Sequence, residues 1–109
     1  MITIYQNRCK EFSPELQKEA KYAMMMGAKN WKPEFAQFYI ASYEVATDDL
    51  EEAFELTNLW NDETEEKVNI MNGLAPSSSV GNLFVVEHGQ CFIVDSFGFK
   101  QIPNPFVEV

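Results

Sequence analysis

A chain of 109 residues and 12.5 kDa reads as one domain, because two cores of about 55 residues each would bury too little surface to stand alone. Apolar types at 46% and aromatics at 14% exclude wholesale disorder. A formal charge of −9 and a pI near 4.4 put direct nucleic-acid binding and adhesion to an acidic membrane at a disadvantage.

No apolar run approaches the roughly 20 residues of a spanning helix, and Met1 to Arg8 lacks the basic end and apolar stretch of a signal peptide. Cys9 and Cys91, with no CxxC spacing, read as free thiols. A cytoplasmic location is the expectation.

In chain order, Met1 to Tyr5 is a candidate strand. Ser13-Pro14-Glu15-Leu16 carries a hydroxyl cap before Pro at the first helical position, and Leu16, Ala20, Ala23 and Met24 recur near the helical period. The spacing predicts a helix over 14–26, closed by Gly27. The run Met24-Met25-Met26 reads as core filling at its end. Residues 36–45 alternate aromatic and β-branched types with an imperfect period of two, which predicts a strand.

A second helix over 48–58 follows, with Asp48 and Glu51 at capping-box spacing and Leu50, Ala53, Phe54 and Thr57 as its inner stripe. Residues 61–79 have weak periodicity and turn signals, with 67–71 a candidate short strand. Leu83 to Glu87 and Gln90 to Asp95, separated by His88-Gly89, read as a hairpin. Phe97 to Ile102 continues as a strand after a bend at Gly98, and Pro103 and Pro105 break the tail. The expected architecture is α+β: a small antiparallel sheet of four to five strands (2–6, 36–45, 82–87, 91–97, 99–102) with two helices packed on one face.

The charge is unevenly spread. Residues 1–43 carry six bases and four acids, whereas 44–109 carry two bases and thirteen acids. From Glu44 to Glu66 there are ten acids and no base. Asp48, Asp49, Glu51, Glu52 and Glu55 fall largely on the outer side of the second helix, and Asp62, Glu63, Glu65 and Glu66 follow it. At about 1.5 Å per residue the helix gives a carboxylate every ~3.3 Å, near the ~3.4 Å per phosphate of one DNA strand. Any acidic helix gives similar arithmetic, so solubility is the competing explanation. Ordinary surfaces intersperse signs, which favours a functional patch.

Catalytic patterns are lacking: His88, the lone histidine, sits at a hairpin tip and reads as a turn residue, and neither cysteine has a spacing that pairs it with His88. No metal or cofactor site is expected, because soft ligands are too few, an exposed acidic row lacks a calcium cage's carbonyls, and no Gly-rich phosphate loop occurs. Phe92, Phe97 and Phe99 read as core and not as a base-stacking platform.

The stretch Ser77-Ser78-Ser79-Val80-Gly81-Asn82, the hairpin after it, and Phe92-Ile93-Val94-Asp95-Ser96-Phe97-Gly98-Phe99 resemble the YodL-like domain and related small proteins of phages, plasmids and other mobile elements. Their recurring pattern is Ser-x-Ser-Val, a small residue and an Asp, a strand, and a second strand reading Val-Asp-Ser-Phe-Gly-Phe. Thr47 to Asn58 is similar to the helix that precedes this pattern, and together the segments span about half of the chain. Asn82 stands where Asp is usual. The motif, within residues 77–102, implies architecture: Ser79 and Asn82 bonding backbone where a strand begins, Gly81 and Gly98 at bends, and Val94, Phe97 and Phe99 in the core.

The resemblance implies a mobile-element setting but no activity. Combined with the acidic patch, it leads to the expectation of a non-enzymatic protein in a host cell's cytoplasm. It would bind and inhibit a host nucleic-acid-handling defence protein, of anti-restriction or anti-CRISPR type, by placing its acidic surface in a basic groove. An adaptor module whose acidity only confers solubility is the alternative, and a small enzyme or ligand binder using the groove near Ser79, Asn82 and Asp95 is a third, with a pocket lined by Asp95 and His88 as its sign. Self-association stays open.

Overall fold

Alternating apolar and polar side chains generate strands with two distinct faces, and most of this chain is built that way. The computed structural model describes residues 1–7, 13–15, 17–18, 31, 33–58, 67–71, 78, 81–95 and 98–106. Strands β1 (Ile2–Asn7), β2 (Tyr39–Val45), β3 (Val68–Ile70), β4 (Leu83–Val85), β5 (Cys91–Asp95) and β6 (Gly98–Ile102) form one sheet in the order β3-β2-β1-β4-β5-β6. Every adjacent pair is antiparallel. A 3₁₀ helix, Pro33–Phe38, leads into β2, and α1 (Leu50–Asn58) follows it.

The sheet is buried on both faces. Beneath α1 lie Ile2, Ile4, Tyr43, Val45, Val68, Phe84 and Val94, closed by Ala53 with Leu50, Phe54 and Leu56 at the margin. On the opposite face Leu83, Cys91, Ile93 and Ile102 pack with Phe35, Phe38 and Tyr39, flanked by Tyr5, Trp31, Val85 and Phe106. Phe106 stacks on Tyr5 with ring centroids 3.9 Å apart. The strict alternation Leu83, Phe84, Val85 sends neighbours in β4 to opposite cores.

β2 serves both cores because its alternation breaks. Ile4 pairs with Tyr43 but Tyr5 pairs with Ala41, so Ser42 is an extra residue in a β-bulge. Tyr39 therefore enters one core while Tyr43 and Val45 enter the other. The bulge also re-aims the strand toward β3, where the Met71 N–H donates to the Ser42 carbonyl at 2.9 Å.

These observations correct the expected architecture of two helices on one face of a four-to-five-stranded sheet. The sheet has six strands, with 68–70 as its third in chain order, and α1 is the one full α-helix among the described residues. Residues 14, 15, 17 and 18 are helical and the Gln17 N–H donates to the Ser13 carbonyl at 2.8 Å; the rest of the expected helix over 14–26 lies outside the described residues. The second face is closed by the 3₁₀ helix, where Phe35 and Phe38, three residues apart, project to one side. Strand 36–45 accordingly begins only at Tyr39.

The hairpin has three linking residues in place of two. The Val86 N–H donates to the Gln90 carbonyl and the Gly89 N–H to the Val86 carbonyl, both at 2.9 Å, with Gly89 at φ +88°. This is a type I turn closed by a left-handed residue, a position that favours glycine. Strand 91–97 ends at Asp95, and β6 folds back on it from Gly98.

Candidate interaction surface

The helix that carries the acids starts through its own side chains. Asp49, one residue later than the predicted cap, accepts the N–H of Glu51 at 2.9 Å and of Glu52 at 3.2 Å through Oδ1, while its own N–H donates to Thr47 Oγ1 at 3.1 Å. Asp48 is thereby left outside the cap. Its Oδ1 accepts from the Met1 ammonium at 3.1 Å, and the Glu87 carboxylate lies 3.7 Å from the same nitrogen. The ammonium pKa is raised, chiefly by the Asp48 hydrogen bond.

At the far end, Thr57 closes the helix. Its hydroxyl contacts the Ala53 carbonyl at 2.9 Å and the Phe54 carbonyl at 3.1 Å, and it meets Ser78 Oγ at 2.6 Å in a buried pair. With the Thr57 proton directed to those carbonyls, Ser78 is the donor between the two hydroxyls. The Asn58 side chain adds a bond to the Phe54 carbonyl at 2.7 Å.

Between those ends the helical period of 3.6 divides the carboxylates into two flanks. Glu52 leans with Leu56 toward β3, where Lys67 Nζ lies 3.8 Å from its Oε1. Glu51 and Glu55 lean with Leu50 and Phe54 toward β5 and β6, are exposed, and have no ion-pair partner among the described residues. There they border a hollow of about 380 Å³ whose lining also includes Phe54, Val94, Asp95, Gly98 and Phe99. Phe99 packs edge-on to Phe54, centroids 6.4 Å apart, and tilted to Phe84 at 5.3 Å. A second hollow, of about 360 Å³, lies near the hairpin and is lined by Asp48, Leu50, Val86, Glu87, His88, Gln90 and Phe92.

Of the nine acids expected to form a binding patch, Asp48, Asp49, Glu51, Glu52 and Glu55 thus share the exposed side of α1 and the turn before it, with three different local roles. Asp62, Glu63, Glu65 and Glu66 lie outside the described residues. Glu44, the first acid of the base-free stretch, alternates with Tyr43 and Val45 and points to the opposite face of the sheet. What the sequence did not indicate is the Lys67 contact and the apolar hollows beside the acids. Both depend on where β3, β5 and β6 fall relative to α1.

The ligand-binding alternative loses its expected cavity. Asn82 is only 3% exposed; its side chain accepts from Gln6 Nε2 at 3.4 Å and its carbonyl accepts from the Val94 N–H at 2.9 Å. Its amide serves the core in place of a carboxylate. Gly81, at φ +92°, accepts the Tyr39 hydroxyl at 2.6 Å. Asp95 and His88 line different hollows, and Ser79 lies outside the described residues. Burial pushes the Cys91 thiol up to about 12, which leaves it a poor nucleophile at neutral pH. Cys9 is not among the described residues.

Among the described residues no three His, Cys, Asp or Glu side chains gather as metal ligands, and no helix is long and apolar enough to cross a membrane. Compared with known proteins, the chain matches no family model, no curated protein and no solved structure.

Proposed function

We propose that this protein is a non-enzymatic binding protein that docks a basic surface of a protein partner on the acidic side of α1. The observation that carries this reading is the β5–β6 flank of the helix, where exposed Glu51 and Glu55 have no cation beside them among the described residues and border an apolar hollow. Unneutralised carboxylates beside an apolar floor suit a cationic partner: the charges speed encounter and fix orientation, and the apolar surface supplies contact energy. The partner we propose is a host nucleic-acid-handling defence protein, inhibited by occupation of its basic groove. The acid spacing and the resemblance to YodL-like mobile-element proteins support that choice.

The adaptor alternative has one observation in its favour. Asp48 and Glu52 are engaged within the chain, by Met1 and Lys67, so part of the acidity serves the fold itself. Capture from host lysate separates the readings. The double variant Glu51→Lys/Glu55→Lys leaves the Asp49 cap and both ion pairs intact. Loss of the partner with this variant, and its release from the unmodified protein at high salt, support the inhibitor; equal capture by both proteins overturns it.

A further inference from the structure

Beside the acidic flank of α1 the sheet presents an open edge. Among the described residues β6 is the last strand of the sheet and pairs only with β5. The hydrogen-bond phase of β5 fixes which amides are spare. Val94 bonds away from β6: its carbonyl accepts the Gly81 N–H at 2.8 Å and its N–H donates to the Asn82 carbonyl at 2.9 Å. In an antiparallel ladder successive residues bond to alternate sides, so Ile93 and Asp95 bond toward their β6 partners, Lys100 and Gly98. The N–H and C=O of Phe99 and Gln101 then point out of the free edge. On the α1 side of this strand stand Phe99 and exposed Gln101, while Lys100, paired with Ile93, alternates to the opposite face.

We infer that β6 receives an extended basic segment of the partner as a seventh strand, an inference that rests on the proposed function and names how the same surface is occupied. Main-chain bonds to Phe99 and Gln101 provide the attachment, as in strand addition generally. Side chains of the added strand on the α1 side fall beside Phe99 and the hollow under Phe54, within reach of cross-strand contact. Lys or Arg stems at those positions cover the apolar floor and carry their charges to Glu51 and Glu55. Charge selects the occupant: a second copy, bearing −9, brings the same carboxylates to the same edge, whereas a cationic strand neutralises them.

The test uses an alternating Lys-Val heptapeptide as probe, an analogue N-methylated at the backbone nitrogens of its two inner Lys residues, which are the ones that face Phe99 and Gln101, and the full chain. The heptapeptide is expected to bind at low salt and to slow amide exchange at Phe99 and Gln101. The N-methyl analogue, which keeps every charge, is expected to bind about tenfold or more weaker, because it lacks the N–H groups that complete the ladder. Gln101→Pro, which deletes an outward N–H without touching an acid, should cause a similar loss; if that variant does not fold, exchange at the two amides and the analogue decide. Equal binding of both peptides without protection overturns strand addition and leaves electrostatic docking on α1 standing. Protection at β6 with binding unchanged in Glu51→Lys/Glu55→Lys overturns the acidic-surface reading instead. Absence of binding by either peptide overturns both. Protection of Phe99 and Gln101 that grows with protein concentration in the absence of peptide assigns the edge to a second copy and overturns the basic occupant.

Discussion

The two faces of the sheet solve the same burial problem in opposite ways. On one, α1 lies across Ile2, Ile4, Val45 and Phe84 and turns a row of carboxylates to solvent. On the other, the 3₁₀ helix and Phe106 close over groups that titrate yet stay neutral, the Cys91 thiol and the Tyr39 phenol. Burial holds both of these above their ordinary pKa values. The contrast teaches that charge here is arranged by element: the helical face carries what a partner can meet, and the opposite face carries what water is kept from.

The comparison breaks most completely where the helical face is emptied. Phe84 is fully buried beneath α1 and touches Phe99; Phe84→Ala is expected to lose about 3–5 kcal/mol, read as a lower midpoint in urea, with α1 and the β6 edge loosened together.

Alkaline titration addresses the other face. Cys91 and Tyr39 keep their protons in the fold above the pH at which the unfolded chain releases them. The native state therefore binds more protons, and stability falls as pH rises: from about 9, where an unfolded cysteine ionises, toward about 12 for Cys91. The slope is at most about 1.4 kcal/mol per pH unit for each group. Cys91→Ser/Tyr39→Phe, compared with the unmodified protein in pH-dependent melting, should flatten the decline; an unchanged slope would place its source elsewhere.

Smaller effects sharpen the assignment of individual acids. Asp49→Ala removes the cap and should cost about 1 kcal/mol, whereas Asp48→Ala should move the melting point far less, because Asp48 is exposed and its partner among the described residues is the likewise exposed Met1 ammonium. Smallest of all, Glu52→Gln should lower stability by no more than about 0.5 kcal/mol by releasing Lys67, and Glu55→Gln should be neutral or slightly stabilising by relieving like-charge repulsion. Partner binding should rank those two variants in the reverse order.

Much of this was legible where one local rule acts alone. Alternation marks β1, β4 and β5, and the inner stripe Leu50, Ala53, Phe54 and Thr57 places α1 within two residues of its observed start. The reading failed where a residue answers to two cores. The imperfect period over 36–45 is the trace of the Ser42 bulge and of the 3₁₀ turn that presents Phe35 and Phe38, and neither has a signature separable from a weak strand. β3, at three residues, is too short for periodicity to decide and takes its place from pairing with β2. The acids of α1 were visible as a group. Their division into a flank tied by Lys67 and a flank beside the hollow follows from strand order, which is set by long-range contacts.

Strand order also bears on biosynthesis. β1 occupies the middle of the sheet, yet its two neighbours are made long after it: Ile4 pairs with Tyr43 on one side and with Phe84, 80 positions later, on the other. A ribosome therefore releases the central strand before either neighbour and must extend the polypeptide through β4 before that strand is saturated. Such non-local closure slows acquisition of the native state and leaves Ile2 and Ile4 uncovered in nascent intermediates, so interruption of translation before β4 yields a fragment with an adhesive apolar ribbon at its heart.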